Sequence, residues 1–251
     1  MRDQKKNIII AGAGLVGSLL AIILRKRGHE VHIFEKRPDM RTETLDGGRS
    51  INLVVTSRGI NALETVDIWK EVKQITVPVI GRMMHSKDEQ LTYQPYGRDE
   101  SECNYSISRG GLNKLLMTEA EKAGAKITFN QEVIDVDLKK KQVIFSNQAK
   151  KNYDLLFGTD GGGSKVRAAL QRSFLDKNIN EERVERLDSD YKEMLLPAGS
   201  NGEYLIDKKA LHIWPRGSEM LMALPNQDGS FTMTLYMPPA KFQKIDDRND
   251  K

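Results

Sequence analysis

The sequence predicts an α/β fold in which a Rossmann-like dinucleotide-binding domain is combined with an inserted antiparallel β-sheet region. Three observations lead to this prediction. A short apolar strand, a glycine-rich turn, a helix and a second strand open the chain, an Asp-Gly turn follows a later apolar strand, and the last third holds short β-rich runs. We place the first domain at residues 1–175 and the substrate-side β-sheet region at residues 176–251.

The composition narrows the possible classes of protein. The 251 residues include 39 Lys+Arg and 35 Asp+Glu, and these charges are interspersed, so we expect no nucleic-acid partner. A single cysteine, Cys103, excludes an internal disulfide and a cysteine-rich zinc site, and the four histidines fit no metal-ligand spacing. We therefore expect no metal and a reducing, cytoplasmic location.

The first apolar segment has an alternative interpretation. Residues 8–24 carry no charge, and two lysines precede them, as in a signal peptide or a short membrane anchor. The regular placement of glycines inside this segment favours a nucleotide-binding turn instead. We therefore expect no membrane segment in this chain.

The opening elements follow from local sequence patterns. Residues 7–11 (NIIIA) are apolar and β-branched, which predicts a buried parallel strand. Residues 18–27 predict a helix with basic residues in its last turn, and Gly28 ends it. Residues 30–34 predict the second strand, which ends immediately before Glu35.

The turn between these elements carries a dinucleotide fingerprint. Gly12 permits a tight turn, Gly14 lets the backbone approach a pyrophosphate, and Gly17 lets helix and strand pack closely. The phosphates would lie at the helix N-terminus. Glu35 would accept hydrogen bonds from a ribose and repel a 2′-phosphate, which indicates FAD or NAD rather than NADP. An NAD-dependent dehydrogenase, or an ordinary βαβ turn with incidental glycines, remains the alternative.

The middle of the chain continues the α/β pattern and ends in a second glycine-rich turn. We predict helices at residues 58–74 and 112–123 and strands at residues 126–129, 133–138 and 142–145. Asp160 and Gly161 follow an apolar strand and precede a helix, where α/β proteins build their sites. We interpret this turn as a second nucleotide contact, and the alternative is a simple N-capped helix start.

The last third predicts the antiparallel sheet. Residues 210–214, 220–224 and 230–237 are short and β-rich, and residues 225–229 form a turn between two of them. Leu211, Met222 and Tyr236 are candidate walls of a substrate pocket on this sheet, although apolar strand residues are more often part of a core.

Several short motifs, in order along nearly the whole chain, resemble the kynurenine 3-monooxygenase family of the flavoprotein aromatic hydroxylases. They are GRSINL (48–53), GRMMHS (81–86), PYG (95–97), SISR (106–109) with LNKL (112–115), LHIWPR (211–216), ALPN (223–226) and GSFT (229–232). The resemblance implies an FAD-dependent monooxygenase that hydroxylates L-kynurenine to 3-hydroxykynurenine with NADPH and O2, in tryptophan degradation. The oxygen would be transferred through a flavin C4a-hydroperoxide, so the cofactor carries the chemistry and we assign no catalytic side chain.

The resemblance also implies roles for individual residues. Arg82 and Tyr96 match the pair that holds the substrate carboxylate, a task that suits a guanidinium fork and a phenol hydroxyl. Without the resemblance, a surface ion pair and a core tyrosine would be the preferred interpretation. The positions that match FAD contacts are Gly12, Gly14, Val16, Gly17, Glu35, Lys36, Arg37, Arg49, Val54, Arg109, Val133, Asp160 and Gly161.

The chain departs from the family near its end. The family's later Gly-Asp motif, its Pro-Phe-Phe-Gly-Gln-Gly segment and its helical C-terminal part do not occur here. We therefore expect an N-terminal fragment that does not turn over alone. Two further alternatives stay open: a flavin monooxygenase of another aromatic acid, and a non-catalytic FAD-binding module.

Overall fold

The computed structural model describes residues 4–42, 51–175 and 185–243, which form helices separated by single strands or by runs of several strands. The helices are α1 (Leu15–Lys26), α2 (Ser57–Glu64), α3 (Trp69–Lys73), α4 (Arg109–Lys122) and α5 (Lys165–Leu175). The strands are β1 (Asn7–Ala11), β2 (Glu30–Phe34), β3 (Asn52–Val55), β4 (Thr76–Val79), β5 (Gly81–His85), β6 (Leu91–Pro95), β7 (Asn104–Ser108), β8 (Lys126–Thr128), β9 (Val133–Asp137), β10 (Gln142–Phe145), β11 (Lys150–Asn152), β12 (Leu155–Gly158), β13 (Asp190–Leu196), β14 (Ala210–Arg216), β15 (Glu219–Pro225) and β16 (Phe231–Met237).

The described residues fall into two compact units. The first lies within Met1–Asp46 and Leu112–Val184, and the second within Gly47–Gly111 and Glu185–Lys251. Our predicted boundary at residues 175 and 176 assigned residues 47–111 to the first domain, whereas here they belong with the second unit. The physical reason is strand pairing, because β5 lies beside β14 in one sheet.

The first unit is built on a four-stranded parallel sheet with the order β12-β1-β2-β8. Ile8, Ile9 and Ile10 of β1 are fully buried, which explains why this strand is apolar on both faces. The strands β2 and β12 lie on opposite sides of β1. The carboxyl end of β1 is therefore the point in a parallel sheet where ligands bind.

A three-stranded antiparallel sheet, β11-β10-β9, completes the first unit and confirms the strands predicted at residues 133–138 and 142–145. Val136, Val143 and Phe145 from this sheet share a buried cluster with Phe34 of β2 and Val166 of α5. The cluster joins both sheets and α5 through apolar contacts.

The second unit contains a six-stranded mixed sheet, β13-β16-β15-β14-β5-β6, and a three-stranded antiparallel sheet, β3-β7-β4. The three predicted strands near the end of the chain are confirmed as β14, β15 and β16, which pair antiparallel. The pairing of β14 with β5 is parallel and brings Leu211 beside Arg82. Residues from distant parts of the sequence therefore share one sheet face.

One predicted helix is wrong in its length. The apolar spacing predicted a single helix over residues 58–74, whereas the structure breaks it into α2 and α3. Asp67 lies between them with a positive φ of 59°. Val66 and Ile68 are nevertheless buried, because the chain turns them inward at the break. The spacing of apolar residues is therefore helical on both sides of the break, and the sequence pattern does not show that a turn lies between them.

Candidate functional site

The glycine turn after β1 is closed by backbone contacts on one side. Gly12 has a φ of 97°, and a Cβ there would lie 2.6 Å from the carbonyl oxygen of Thr159. A Cβ on Gly17 would overlap the carbonyl oxygen of Gly12 and would lie 2.6 Å from the hydroxyl of Thr159. These two positions therefore need glycine for the close approach of α1 to the strands.

The middle of the same turn is open. A Cβ on Gly14 would meet no atom within 4 Å. Helix α1 begins at the next residue, one turn earlier than the predicted residue 18, with no side-chain cap and no acidic residue in its first turn. Val16 in that turn is 68% exposed. Within the described ranges of the chain, no side chain accepts from the first backbone N–H groups of α1, which is the arrangement that suits a phosphate.

Glu35 connects the end of β2 to the glycine turn. Its side chain is buried, and Oε2 accepts a hydrogen bond from the N–H of Ala13 at 2.8 Å. Oε1 accepts from the backbone N–H and the Nε of Arg37, at 3.0 and 2.7 Å. A carboxylate can accept about four hydrogen bonds, and Glu35 accepts three from the described residues.

The pKa of Glu35 reflects these contacts. Burial acts to raise the pKa of this carboxyl, but the hydrogen bonds from Arg37 and Ala13 outweigh it and hold the pKa below its ordinary value. In return, the bond to Glu35 raises the pKa of Arg37. The end of β2 therefore carries an ionised carboxylate, as the interpretation of a ribose-binding acid requires.

The turn after β12 differs from the first turn. Oδ1 of Asp160 accepts from the hydroxyl of Ser164 at 2.6 Å, and Oδ2 accepts from the N–H of Lys165 at 2.7 Å. Asp160 thus caps α5, which was the structural alternative for this motif. Gly161 has a φ of 83° and open space beyond its Cα. Its backbone can still be approached by a ligand.

Thr159 is a residue that the sequence analysis missed. Its N–H donates to the carbonyl of Ala11 at 2.9 Å, and its hydroxyl lies 2.8 and 2.9 Å from the carbonyl oxygens of Ala11 and Gly12. Thr159 therefore fastens the second turn to the first. Its position directly before Asp160, at the end of a strand, was the available signal.

The other predicted cofactor contacts of the first unit differ in their exposure to solvent. Lys36 is exposed, and the Arg37 side chain is 56% exposed. Val133 is buried in the cluster around Phe34, so its side chain serves the core and only its backbone could meet a ligand. Their roles as FAD contacts stay predictions.

Three predicted flavin contacts belong to the second unit or its flanks. Arg49 lies outside the described residues. Val54 of β3 is half-buried against the cluster of Val79, Leu211 and Leu224. Arg109 is exposed at the start of α4, and its N–H donates to the carbonyl of Ile51 at 3.2 Å. The roles of all three as flavin contacts stay predictions.

The structure brings the two predicted substrate residues together. The guanidinium carbon of Arg82 lies 5.4 Å from the centre of the Tyr96 ring, within the range of a cation–π contact. Arg82 is exposed and Tyr96 is half-buried against the cluster that contains Leu211. A charged fork and a phenol thus stand side by side at the edge of an apolar surface.

The candidate pocket walls lie on the same face of the six-stranded sheet as Arg82. Leu211 is opposite Arg82 in the register of β14 and β5, and Met222 is opposite Ile213 in the register of β14 and β15. Leu211 is buried and Met222 is half-buried. The ring centres of Tyr236 and Tyr191 are 6.1 Å apart. Burial raises the pKa of the Tyr236 phenol.

The described residues contain neither a candidate metal site nor a candidate membrane-spanning helix. Within residues 4–42, 51–175 and 185–243, no group of three or more His, Cys, Asp or Glu side chains could hold a metal ion. None of the helices in these ranges is both long and apolar enough to cross a bilayer. The cytoplasmic location stays a prediction.

The parallel sheet, its glycine turn and the acid after β2 define a dinucleotide-binding domain. A family model described as an FAD binding domain matches residues 5–224, and the chain belongs to this family. The predicted FAD-binding α/β fold is thereby confirmed, and FAD is favoured over NAD as the ligand.

Comparison with individual proteins gives closer relatives. The chain is 45% identical over 252 residues to a kynurenine 3-monooxygenase of Myxococcus xanthus, with 97% of this chain and 53% of the relative covered. It is 42% identical over 254 residues to a kynurenine 3-monooxygenase of Flavobacterium psychrophilum, with coverage of 98% and 55%. The chain thus spans about half the length of the curated relatives it matches.

Solved structures support the fold. The tetrameric form of 2-methyl-3-hydroxypyridine-5-carboxylic acid oxygenase superposes with a TM-score of 0.76 at 19% identity, covering 94% of this chain and 60% of that one. A probable FAD-dependent monooxygenase from Pseudomonas aeruginosa, pqsL, gives a TM-score of 0.71 at 18% identity, covering 96% and 63%. At such low identity, these likenesses concern the fold alone.

Proposed function

We propose that the protein carrying this chain is an FAD-dependent monooxygenase that converts L-kynurenine, NADPH, a proton and O2 into 3-hydroxykynurenine, NADP⁺ and water. The observation that carries this proposal is the contact between Arg82 and Tyr96 beside Leu211, in a chain 45% identical to a kynurenine 3-monooxygenase. The guanidinium would hold the α-carboxylate of the amino acid, and the apolar face would hold its ring.

The first unit would bind the cofactor. The open position at Gly14 and the uncapped start of α1 suit the pyrophosphate, and the ionised carboxylate of Glu35, directly after β2, suits a ribose hydroxyl. When bound, FAD supplies the redox chemistry with NADPH and O2. We also assign supporting contacts to Val16, Lys36, Arg37, Arg49, Val54, Arg109, Val133, Asp160 and Gly161.

The protein residues would bind and orient the reactants without forming a covalent bond to them. An arginine that fixes the substrate carboxylate also fixes the direction in which the aromatic ring points. Leu211 and Met222 would exclude water from the ring, which favours oxygen transfer to the ring over loss of the oxidant to solvent. No side chain in this scheme acts as a nucleophile.

The test compares substrates and variants of the intact protein. We expect a yellow protein whose NADPH oxidation rises with L-kynurenine and not with a phenolic acid such as 4-hydroxybenzoate. A response to the phenolic acid alone would assign another aromatic substrate. Flavin binding without any NADPH oxidation would indicate a non-catalytic module.

A variant of Arg82 tests the substrate assignment separately. Arg82→Met should weaken kynurenine binding by about 30-fold or more, because a charge-assisted pair is lost, while the affinity for FAD stays unchanged. Arg98→Met, which alters an exposed arginine of the same unit, is the matched control and should leave kynurenine binding unchanged. Equal kynurenine affinity in Arg82→Met and the unaltered protein would refute the role of Arg82.

A further inference from the structure

Polar residues from four of the sequence motifs have no part in the proposed function. The motifs GRSINL, SISR, ALPN and GSFT contribute Asn52, Ser106, Asn226, Ser230 and Thr232. In the structure, these five side chains form one hydrogen-bonded network inside the second unit. Asn226, in the turn between β15 and β16, is its centre.

Both the oxygen and the nitrogen of the Asn226 side-chain amide form hydrogen bonds. Oδ1 accepts from Nδ2 of Asn52 at 2.6 Å, and Nδ2 donates to the hydroxyls of Ser230 and Thr232 at 2.8 and 3.2 Å. The backbone carbonyl of Asn226 accepts from the phenol of Tyr204 at 2.7 Å. Both polar atoms of this amide are therefore hydrogen-bonded to side chains of β3, of β16 and of the turn before β16.

A second contact joins the same elements. The hydroxyl of Ser106 is buried and donates to the carbonyl of Pro225 at 2.9 Å. Nδ2 of Asn52 lies 3.2 Å from that hydroxyl and 3.3 Å from the same carbonyl. Two strands of the three-stranded sheet, β3 and β7, are thus bonded to the β15–β16 turn of the six-stranded sheet.

The strands joined in this way carry different parts of the proposed site. Val54 follows Asn52 by two residues on β3, and Arg109 comes directly after β7; both are proposed flavin contacts. Met222 lies on β15, and Arg82 lies two strands away in the same sheet. The Asn52–Asn226 bond therefore spans the boundary between the flavin-side strands and the substrate-side sheet.

We propose that Asn226 is a positioning residue that sets the distance between the flavin-contacting strands and the sheet that holds the substrate. This inference rests on the proposed function. Oxygen transfer depends on the placement of the ring within a fraction of an ångström, and a small displacement lowers the rate of transfer steeply. With Asn226 altered, more NADPH and O2 would be converted to NADP⁺ and hydrogen peroxide, without hydroxylation.

The experiment measures the 3-hydroxykynurenine formed per NADPH consumed, in the intact protein. Asn226→Ala should lower this ratio about threefold or more, while the affinity for FAD changes less than about twofold, because the pyrophosphate turn is untouched. The shift that L-kynurenine induces in the flavin absorption spectrum should also become smaller. Gln227→Ala is the matched control: it removes a hydrogen bond from the same turn to the carbonyl of Gln74 and should leave the ratio unchanged.

A double-mutant cycle distinguishes positioning from a general loss of stability. Asn52→Ala should lower the ratio as Asn226→Ala does, and the double variant should be no worse than either single variant. A lowered melting temperature with an unchanged ratio and an unchanged spectral shift would overturn the proposal.

If Asn226→Ala does not fold, a second variant replaces it. Asn226→Asp retains the acceptor for Asn52 and should give an intermediate ratio of 3-hydroxykynurenine to NADPH. An unaltered ratio in this variant also overturns the proposal. If L-kynurenine does not stimulate NADPH oxidation by the unaltered protein, the proposed function itself is overturned before any variant is compared.

Discussion

The two glycine-rich turns of the first unit follow neighbouring parallel strands, but the helices that they lead into differ in how their first N–H groups are bonded. Helix α1, after the first turn, has no side-chain cap and no acid in its first turn. Helix α5, after the second turn, is capped by Asp160 and by the hydroxyl of Ser164, which accepts from the N–H of Arg167 at 3.0 Å. The free N–H groups at the start of α1 suit an anion, whereas side chains of the protein already accept from the N–H groups at the start of α5.

The glycines of the two turns differ in the same way. Gly12 and Gly17 are required by contacts within the protein, whereas Gly14 and Gly162 have open space where a Cβ would be. Fold-related and ligand-related glycines can thus be told apart within one motif. Four substitutions in and around the two turns test this distinction.

The largest effect is expected at Gly17. Gly17→Ala would drive a methyl group into the carbonyl oxygen of Gly12, and α1 would have to move away from the strands. We expect the free energy of unfolding to fall by about 3 kcal/mol or more, measured by urea denaturation of the protein without FAD. Gly14→Ala is the matched control and should stay within about 1 kcal/mol of the unaltered protein. Equal stability of the two variants would abolish the distinction between the glycines.

The second effect concerns the acid that supports the first turn. The pKa of Glu35 is held below its ordinary value, so its contribution to stability is fully present above about pH 4.3 and is lost as the pH falls through the lowered pKa. Glu35→Gln should therefore cost about 2 kcal/mol at pH 7, and the difference from the unaltered protein should shrink in acid.

Urea midpoints between pH 7 and pH 3 measure this dependence. Glu119→Gln is the matched control, because Glu119 pairs with the exposed Lys122 and its loss should cost under about 0.5 kcal/mol. A difference between Glu35→Gln and the unaltered protein that stays constant across this pH range would show that the charge of Glu35 does not stabilise the turn.

The third effect is on cofactor affinity. Gly14→Ala places a methyl group where the pyrophosphate should approach, so we expect FAD to bind about tenfold more weakly or worse. Gly162→Ala makes the same change in the second turn and should weaken FAD binding less than about threefold. Titration of the intact protein, followed by the quenching of flavin fluorescence, measures both. If the two variants lose equal affinity for FAD, both turns contact the cofactor equally, and the proposed difference between the two turns is wrong.

The elements that were predicted correctly have strong local signals. β1, α1 and β2 are defined by an apolar strand, spaced glycines and a basic helix end, all within 30 residues. β14, β15 and β16 have β-rich runs separated by turns, and each pairs with its neighbour in sequence. Local patterns of this kind are decided by the residues themselves, so they can be read without the rest of the fold.

The features that were missed depend on contacts between distant residues. Strand β5 pairs with β14 from far away in the sequence, and its run GRMMH has no clear alternation of apolar and polar residues. The same holds for Asn226, whose amide meets a residue 174 positions earlier. Each motif could be found in the sequence, but the meeting of the motifs in space could not, because a single sequence does not specify which strands become neighbours.

The smallest effect is expected at Asp160. Asp160→Ala removes the cap of α5 and should lower the free energy of unfolding by about 1 kcal/mol. If the second turn also touches FAD through its backbone, the cofactor should bind only slightly more weakly, since the space beyond Gly161 stays open. Ser164→Ala is the matched variant, because it removes a cap hydroxyl from the same helix start without altering the acid. A tenfold loss of FAD affinity in Asp160→Ala but not in Ser164→Ala would mean that the carboxylate serves the cofactor as well as the helix, and the contrast between the two turns would then be one of degree.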